Sequence, residues 1–302
     1  GGALLCKGDP GLNRITFYVS QLPSSSFKGE TIYLRTHNNG KYEVHSPWLV
    51  PGLKPLDEYA CRIGLGYTRL VTRISDIRTD TTVIVPPDFP CELRKIKITN
   101  TGNEALDLDL IPVVEYSHFD ALKQLTNADW VPQTMQSKAY HLPDGKVVLK
   151  QAAFMMNGHQ ENYFTTSLPV DSYETERAKF LGNHEYGSWA SPLSLNSPSL
   201  SNSEALNGDN IAALLIPIKS IAPGETRIVI LQLGQVESIS DNLEKITDCL
   251  DENYFEKSFE QIRAYWQAYM EKFQVESPDA AFNSMLNIHN PRQCQTTKIW
   301  SR

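Results

Sequence analysis

The chain has 302 residues, enough for one large domain or two ordinary ones, and its 41% hydrophobic and 21% charged residues exclude a disordered tail. A net charge of −7, with acidic and basic residues intermixed, offers no basic face for a phosphate backbone and argues against nucleic acid as a partner. No apolar run approaches the roughly 20 residues that span a bilayer, so no membrane partner is expected; the five cysteines have neither CxxC spacing nor an even count, which argues against a zinc site or a disulfide framework. A reducing, cytoplasmic location fits this cysteine usage, and the start Gly1-Gly2-Ala-Leu-Leu-Cys6 lacks the basic and long apolar regions of a signal peptide.

From residue 1 to about 235, short apolar or alternating runs are separated by turn clusters at intervals of roughly ten residues, the pattern of an antiparallel β-sandwich. Thr31 to Arg35 and Lys41 to Val44 flank Asn38-Asn39-Gly40, and Asn-Gly between such runs marks a hairpin. Tyr67 to Ile74 and Asp80 to Val85 form a second pair, closed by Pro86-Pro87. Glu92 to Asn100 and Ala105 to Glu115 follow, and in the second of these Leu106, Leu108 and Leu110 alternate with Asp107 and Asp109 as a sheet with one wet face requires. Lys146 to Phe154, Asn162 to Ser167, Ile211 to Ile218 and Thr226 to Leu233 continue the series. Ile228-Val-Ile-Leu231 does not alternate, which predicts burial on both faces.

Two stretches, Asp120 to Gln136 and Asp171 to Asp209, read as long connections, and loops of that length are commonly functional. Beyond residue 238 the period changes: Ile239, Leu243, Ile246, Leu250, Phe255, Phe259, Ile262, Trp266, Tyr269 and Phe273 mostly step by three and four. Ser238 to Phe273 is therefore one long or two consecutive amphipathic helices. Ser277-Pro278-Asp279 reads as a further helix start. The stretch from Asn287 to Arg302 carries no closing signal, so the chain reads as one part of a longer protein.

Residue constellations alone define no catalytic set. His118-Phe119-Asp120 is half of a metal or general-base site and has no second histidine nearby, and Glu115 with Asp120 is a carboxylate pair whose separation a sequence does not give. Gly64-Leu-Gly-Tyr-Thr68 lacks phosphate-loop spacing and reads as a bulge or a close backbone approach. Trp130, Tyr173, Tyr186 and Trp189 in the long connections are aromatic surfaces suited to stacking on sugar rings, or else anchors that hold those connections to the sheet.

The run Pro55-Leu-Asp-Glu-Tyr-Ala-Cys-Arg-Ile-Gly-Leu-Gly-Tyr-Thr-Arg69 resembles a signature of the N-terminal domain of glycoside hydrolase family 94, the inverting cellobiose, cellodextrin, laminaribiose and chitobiose phosphorylases. Val85-Pro-Pro, Ile98-Thr-Asn-Thr-Gly102, Val114-Glu-Tyr116 and Ala222-Pro-Gly-Glu-Thr226 stand in that family's order. The resemblance implies a mainly β fold, a large antiparallel supersandwich over 1–236, then a helical linker over 237–275, then the first helix of a catalytic (α/α)6 barrel over 276–302.

It also implies a parent enzyme that phosphorolyses a β-linked gluco-disaccharide or oligosaccharide to α-glucose 1-phosphate. Inorganic phosphate is then the co-substrate, no metal or other cofactor is needed, and a homodimer is formed through the sandwich. The family's catalytic aspartate lies beyond the motifs present, so no catalytic residue is assigned in this chain; Arg292, Gln293 and Trp130 are the candidate substrate-binding residues. The variant Asn290-Pro-Arg-Gln-Cys294 points to a laminaribiose or cellodextrin type over a chitobiose type. Two readings compete: a freestanding carbohydrate-binding sandwich without catalysis, and a self-contained hydrolase built on Glu115 and Asp120.

Overall fold

The computed structural model describes residues 15–16, 29–38, 40–117, 132–154, 160–182, 185 and 187–300, with side chains to 298. Among them, thirteen strands form two antiparallel sheets. The five-stranded sheet runs β11 (Ser172–Glu176), β12 (Asn210–Ile221), β7 (Leu106–Glu115), β1 (Glu30–Asn38), β2 (Lys41–His45). The eight-stranded sheet runs β3 (Glu58–Ile63), β4 (Tyr67–Ile74), β5 (Ile77–Ile84), β6 (Cys91–Asn100), β13 (Thr226–Val236), β10 (Glu161–Thr166), β9 (Val147–Ala153), β8 (Met135–His141).

The period-two alternation of strands decides which side chains meet. Ile32 and Leu34 of β1, Leu108 and Leu110 of β7 and Leu214 and Ile216 of β12 face inward. There they meet Ile96 and Ile98 of β6, Leu149 of β9 and Val229, Leu231 and Leu233 of β13 in the core between the sheets. The apolar runs without alternation are strands buried on both sides. In β13, Ile230 and Val236 point away from that core and under the helices, as the unbroken run Ile228 to Leu231 predicts. In β12, Ile211, Ala213 and Leu215 point outward instead, into a third cluster.

That third cluster covers the outer face of the five-stranded sheet with the segment between β11 and β12. Phe180 and Leu181 of α1 (Arg177–Leu181), Trp189, Leu195 and Leu200 sit on Tyr33, Ile111 and Val113. Polar anchors fix the cover: the Tyr33 hydroxyl donates to the Trp189 carbonyl at 2.6 Å, and buried Arg35 donates to Asp109 at 2.9 Å and to the carbonyls of Leu195 and Pro198 at 3.2 and 3.1 Å. The span 171–209, expected as a long connection, thus holds a strand, a short helix and a wall of the core.

The outer face of the eight-stranded sheet is covered by two helices, α2 (Ile239–Asp248) and α3 (Glu252–Met270). Ser238 caps α2, its hydroxyl accepting from Asp241 N at 3.3 Å, and Asp251 caps α3, accepting from Asn253 N and Tyr254 N at 2.8 and 3.2 Å. The single amphipathic stripe read from Ser238 to Phe273 is therefore two helices broken at Asp251, and its Ile239, Ile246, Leu250, Phe255 and Ile262 pack on Ile84, Leu93, Val148 and Tyr163.

The last segment begins at Asp279, whose carboxylate accepts from Ala281 N and Phe282 N at 2.8 and 3.1 Å. Asp279, not Ser277, is the cap; the Ser277 hydroxyl instead accepts from the Asp279 amide at 3.2 Å. Helix α4 (Ala280–Ser284) passes through a widened turn, Met285–His289, into α5 (Asn290–Trp300). The amide of Asn290 reaches back five residues to Met285 O, and this wider turn accommodates Pro291, which has no N–H to give and whose ring crowds a tighter turn.

Candidate site at the signature hairpin

The run Ile63-Gly-Leu-Gly-Tyr67 is the tip joining β3 to β4, closed by Gly64 N donating to Tyr67 O at 2.9 Å. Its glycines are required by close approach. Gly66 has φ of 77°, and a Cβ there would lie 2.4 Å from Ile262 Cγ2 and 2.7 Å from Trp266 Nε1; a Cβ on Gly64 would fall 2.1 Å from the Tyr67 ring. The tip is therefore a docking platform for α3, and Tyr67 meets Phe259 edge to face at 5.2 Å between centroids. The close backbone approach predicted from Gly64 to Thr68 is what the structure shows.

Against this platform lies a cavity of about 430 Å³, lined by Gly64, Leu65 and Tyr67 of the tip, Arg263 and Trp266 of α3, and His289 and Arg292 of the last segment among others. The sequence-predicted Arg292 is thus brought beside the signature run. Gln293, one residue on, is exposed, donates to the Thr297 hydroxyl at 3.3 Å and does not line this cavity. Trp130 lies outside the described residues, as do His118, Asp120 and Tyr186. Trp266 and His289 stand in the sequence only as a position on the amphipathic stripe and one in the terminal stretch, and Arg263 belongs to neither; nothing in their spacing marks a cavity.

Chemically, this cavity combines an indole and a phenol ring with guanidinium, imidazole and amide donors, and none of its lining residues is a carboxylate. Such a set can stack a sugar ring and donate to hydroxyls or to an anion, and supplies no carboxyl general acid.

The other constellations fall elsewhere. Glu115 is buried and its carboxylate pairs with Arg177 at 2.9 Å, which makes it a structural ion at the end of β7. Trp189 and Tyr173 are only 4% and 6% exposed, so these two rings anchor their connection rather than offering a face to sugar. In the core, Glu30, Glu92 and Arg94 are buried together, with Arg94 Nε donating to Glu92 at 2.6 Å and its other nitrogen paired with Glu30. Two carboxyl groups share one guanidinium there, and burial pushes Glu92 up to about 8. Cys61, Cys91, Cys249 and Cys294 are free thiols. Among the described residues there is no cluster of three or more metal-ligating side chains, and no helix is long and apolar enough to cross a membrane.

Two face-to-face antiparallel sheets with helices on the outer face of the larger, followed by a further helical segment, define a supersandwich module. The chain belongs to the glycosyl hydrolase 94 family: the model of that family's supersandwich domain matches residues 1–252, and the model of the superfamily's catalytic domain matches residues 265–302.

Curated relatives include N,N'-diacetylchitobiose phosphorylase of Vibrio proteolyticus, 27% identical over 97% of this chain and 36% of that protein. Solabiose phosphorylase of Paenibacillus borealis is 25% identical over 88% of this chain and 34% of that protein. The chain thus spans about a third of the length of these relatives. Among solved structures, a bacterial glucoamylase complexed with acarbose superposes with a TM-score of 0.55 at 9% identity, covering 89% of this chain and 37% of that one, which is a likeness of fold.

Proposed function

We propose that the chain is the support and docking part of an inverting disaccharide or oligosaccharide phosphorylase. The observation that carries this reading is the order of the two family matches on one chain, supersandwich and then catalytic domain, with a cavity where the signature tip meets Arg292. In the domain division proposed, 1–236 is the sandwich, 237–275 the linker and 276–302 the first helix of the barrel. The exposure of Phe273, Phe282, Met285 and Ile288, between 43% and 60%, supports a last segment that packs on further structure.

In the proposed reaction inorganic phosphate attacks the anomeric carbon from the face opposite the leaving saccharide, while a protonated carboxyl donates to the departing oxygen; the bond to the leaving sugar breaks as the bond to phosphate forms. The carboxyl is not among the residues of the cavity at the signature tip, whose donors and rings fit a binding role. Arg292 is the proposed contact to sugar hydroxyl or phosphate, with Trp266 as the stacking surface. A β-linked gluco-saccharide remains the proposed substrate class; the preference for a laminaribiose or cellodextrin type drawn from residues 290–294 gains no support from relatives named for chitobiose and solabiose. A homodimer through the sandwich is part of the proposal.

The test is an assay of the longer protein carrying this chain against β-1,2, β-1,3 and β-1,4 glucosides and chitobiose, with and without phosphate. The reading requires sugar 1-phosphate from at least one of them. Phosphate-independent release of free sugars, or no turnover of any, would overturn it.

A further inference from the structure

A second cavity, of about 310 Å³, lies on the helix-facing side of the eight-stranded sheet. Antiparallel register puts its charges in rows: Arg62 of β3 faces Arg69 of β4, Arg69 faces Thr82 of β5, and Thr82 faces Lys95 of β6, while Asp80 of β5 faces Lys97 of β6. Four cations thus line the cavity against the carboxylates of Asp80 and Glu256. Like charges directly opposite each other destabilise a sheet, so the Arg62–Arg69 pair is not explained by stability. It stands in a chain whose net charge is −7.

The internal partners leave a definite remainder. Arg69 is taken up by Asp80, Nε donating at 2.8 Å, with a second contact between the same groups. Burial works to raise the Asp80 carboxyl, but its hydrogen bond and charge pairing with Arg69 outweigh this and hold it below the usual carboxylate value. Lys95 is paired with Glu256 and lies 3.6 Å from Glu252. Arg62 and Lys97, both exposed, make no hydrogen bond or ion pair with the described residues. They sit three strand spacings and two residues of register apart, about 16 Å at the backbone, a span that two long side chains reaching inward can close on one small anion. The half-buried rings of Phe259 and Tyr67 supply an apolar wall, Phe255 itself being buried.

We propose that this cleft binds a phosphate monoester, with Arg62 and Lys97 gripping the phosphoryl oxygens and the aromatic wall receiving the face of an attached sugar, in a cavity that shares Tyr67 with the one beside Arg292 and is otherwise lined by different residues. Guanidinium and ammonium donors are the groups that recognise such oxygens, and two of them without a hydrogen bond or ion pair among the described residues, with Lys97 acting on Asp80 only through its charge, match a sugar phosphate better than a neutral sugar. The same donors would accept free inorganic phosphate, so the source of the anion is for the experiment to separate. The inference does not rest on phosphorolysis and stands or falls without it.

The test is calorimetric titration of the 302-residue chain at low salt with glucose 1-phosphate, inorganic phosphate and glucose, repeated for Arg62→Gln, Lys97→Gln and the double variant. Lys219→Gln, on an exposed residue of the other sheet, serves as control. Both target side chains are exposed, so the melting temperature reports that the variants remain folded. Glucose 1-phosphate should bind, with affinity falling about tenfold for each cation removed and unchanged in the control. Binding of inorganic phosphate with the same loss supports the site and identifies free phosphate as a sufficient ligand; binding of the sugar phosphate alone supports it and assigns part of the affinity to the ring wall. Failure of both phosphates to bind, equal binding of neutral glucose, or affinity unmoved in the double variant overturns the proposal.

Discussion

The two sheets are covered in opposite ways. The outer face of the five-stranded sheet carries a dry lid, in which Phe180, Trp189, Leu195 and Leu200 close on Tyr33, Ile111 and Val113, and polar groups serve to tie the lid down. The outer face of the eight-stranded sheet is capped by helices that meet it through apolar contacts from β5 and β6 across β13 and β10 to β9; toward β3 and β4 the contact opens into two cavities lined by rings and cations. A cover made of chain already fixed by carbonyl hydrogen bonds leaves no room for a ligand, whereas a helix propped on a glycine tip leaves gaps on either side of its contact. The two ligand sites proposed for this chain therefore both lie on the helix-covered face.

The largest effect expected from breaking this contrast is on the dry side. Trp189→Ala should cost about 3–5 kcal/mol in chemical denaturation, the range for removing a buried large aromatic ring, and leave ligand affinity alone. A cost below 1 kcal/mol would mean that the lid is not part of the core. On the helix side, Gly66→Ala combines a left-handed backbone with a contact to Ile262 and Trp266, and should cost about 2 kcal/mol or more and alter Trp266 fluorescence. Gly40→Ala, with φ of 75° and nothing within 4 Å, is the matched comparison and should cost about 1 kcal/mol; equal costs would remove the helix contact from the account.

Between the covers, the burial of Glu92 sets a pH dependence. The folded value of Glu92 lies above its unfolded value near 4.5, so its contribution to stability is complete below about 4.5 and is lost as the pH rises through about 8. Glu92→Gln should flatten that decline, whose slope for one proton does not exceed about 1.4 kcal/mol per pH unit. An unchanged profile in the variant would show that another group titrates. The smallest stability effect is at the candidate sugar cavity: Arg292→Ala should change stability by about 0.5 kcal/mol or less while weakening saccharide binding, and Gln293→Ala should change neither.

The legible and illegible parts of the fold divide along the same physical line. Strands buried on one or both faces, such as β7 with its Leu/Asp alternation and β13 with its unbroken apolar run, are visible in the sequence because burial writes the pattern. The three strands absent from the sequence reading, β3, β8 and β11, are all sheet edges. An edge pairs on one side only and is filled by residues such as Glu58, Arg62, Lys138 and Glu174, which carry little apolar signal. The site divides likewise. The glycine tip was readable because only glycine tolerates such an approach, and Arg292 because its stretch had a family counterpart. The cation rows were not, since Arg62, Arg69 and Lys95 become neighbours only through strand register.

Hydrogen–deuterium exchange of the chain, with and without glucose 1-phosphate, tests the division of the two covers most directly. The account predicts slowed exchange at residues 62–69 and 255–267 and no change at residues 177–200. Protection confined to 177–200 would contradict it and return the ligand to the aromatic residues of the lid.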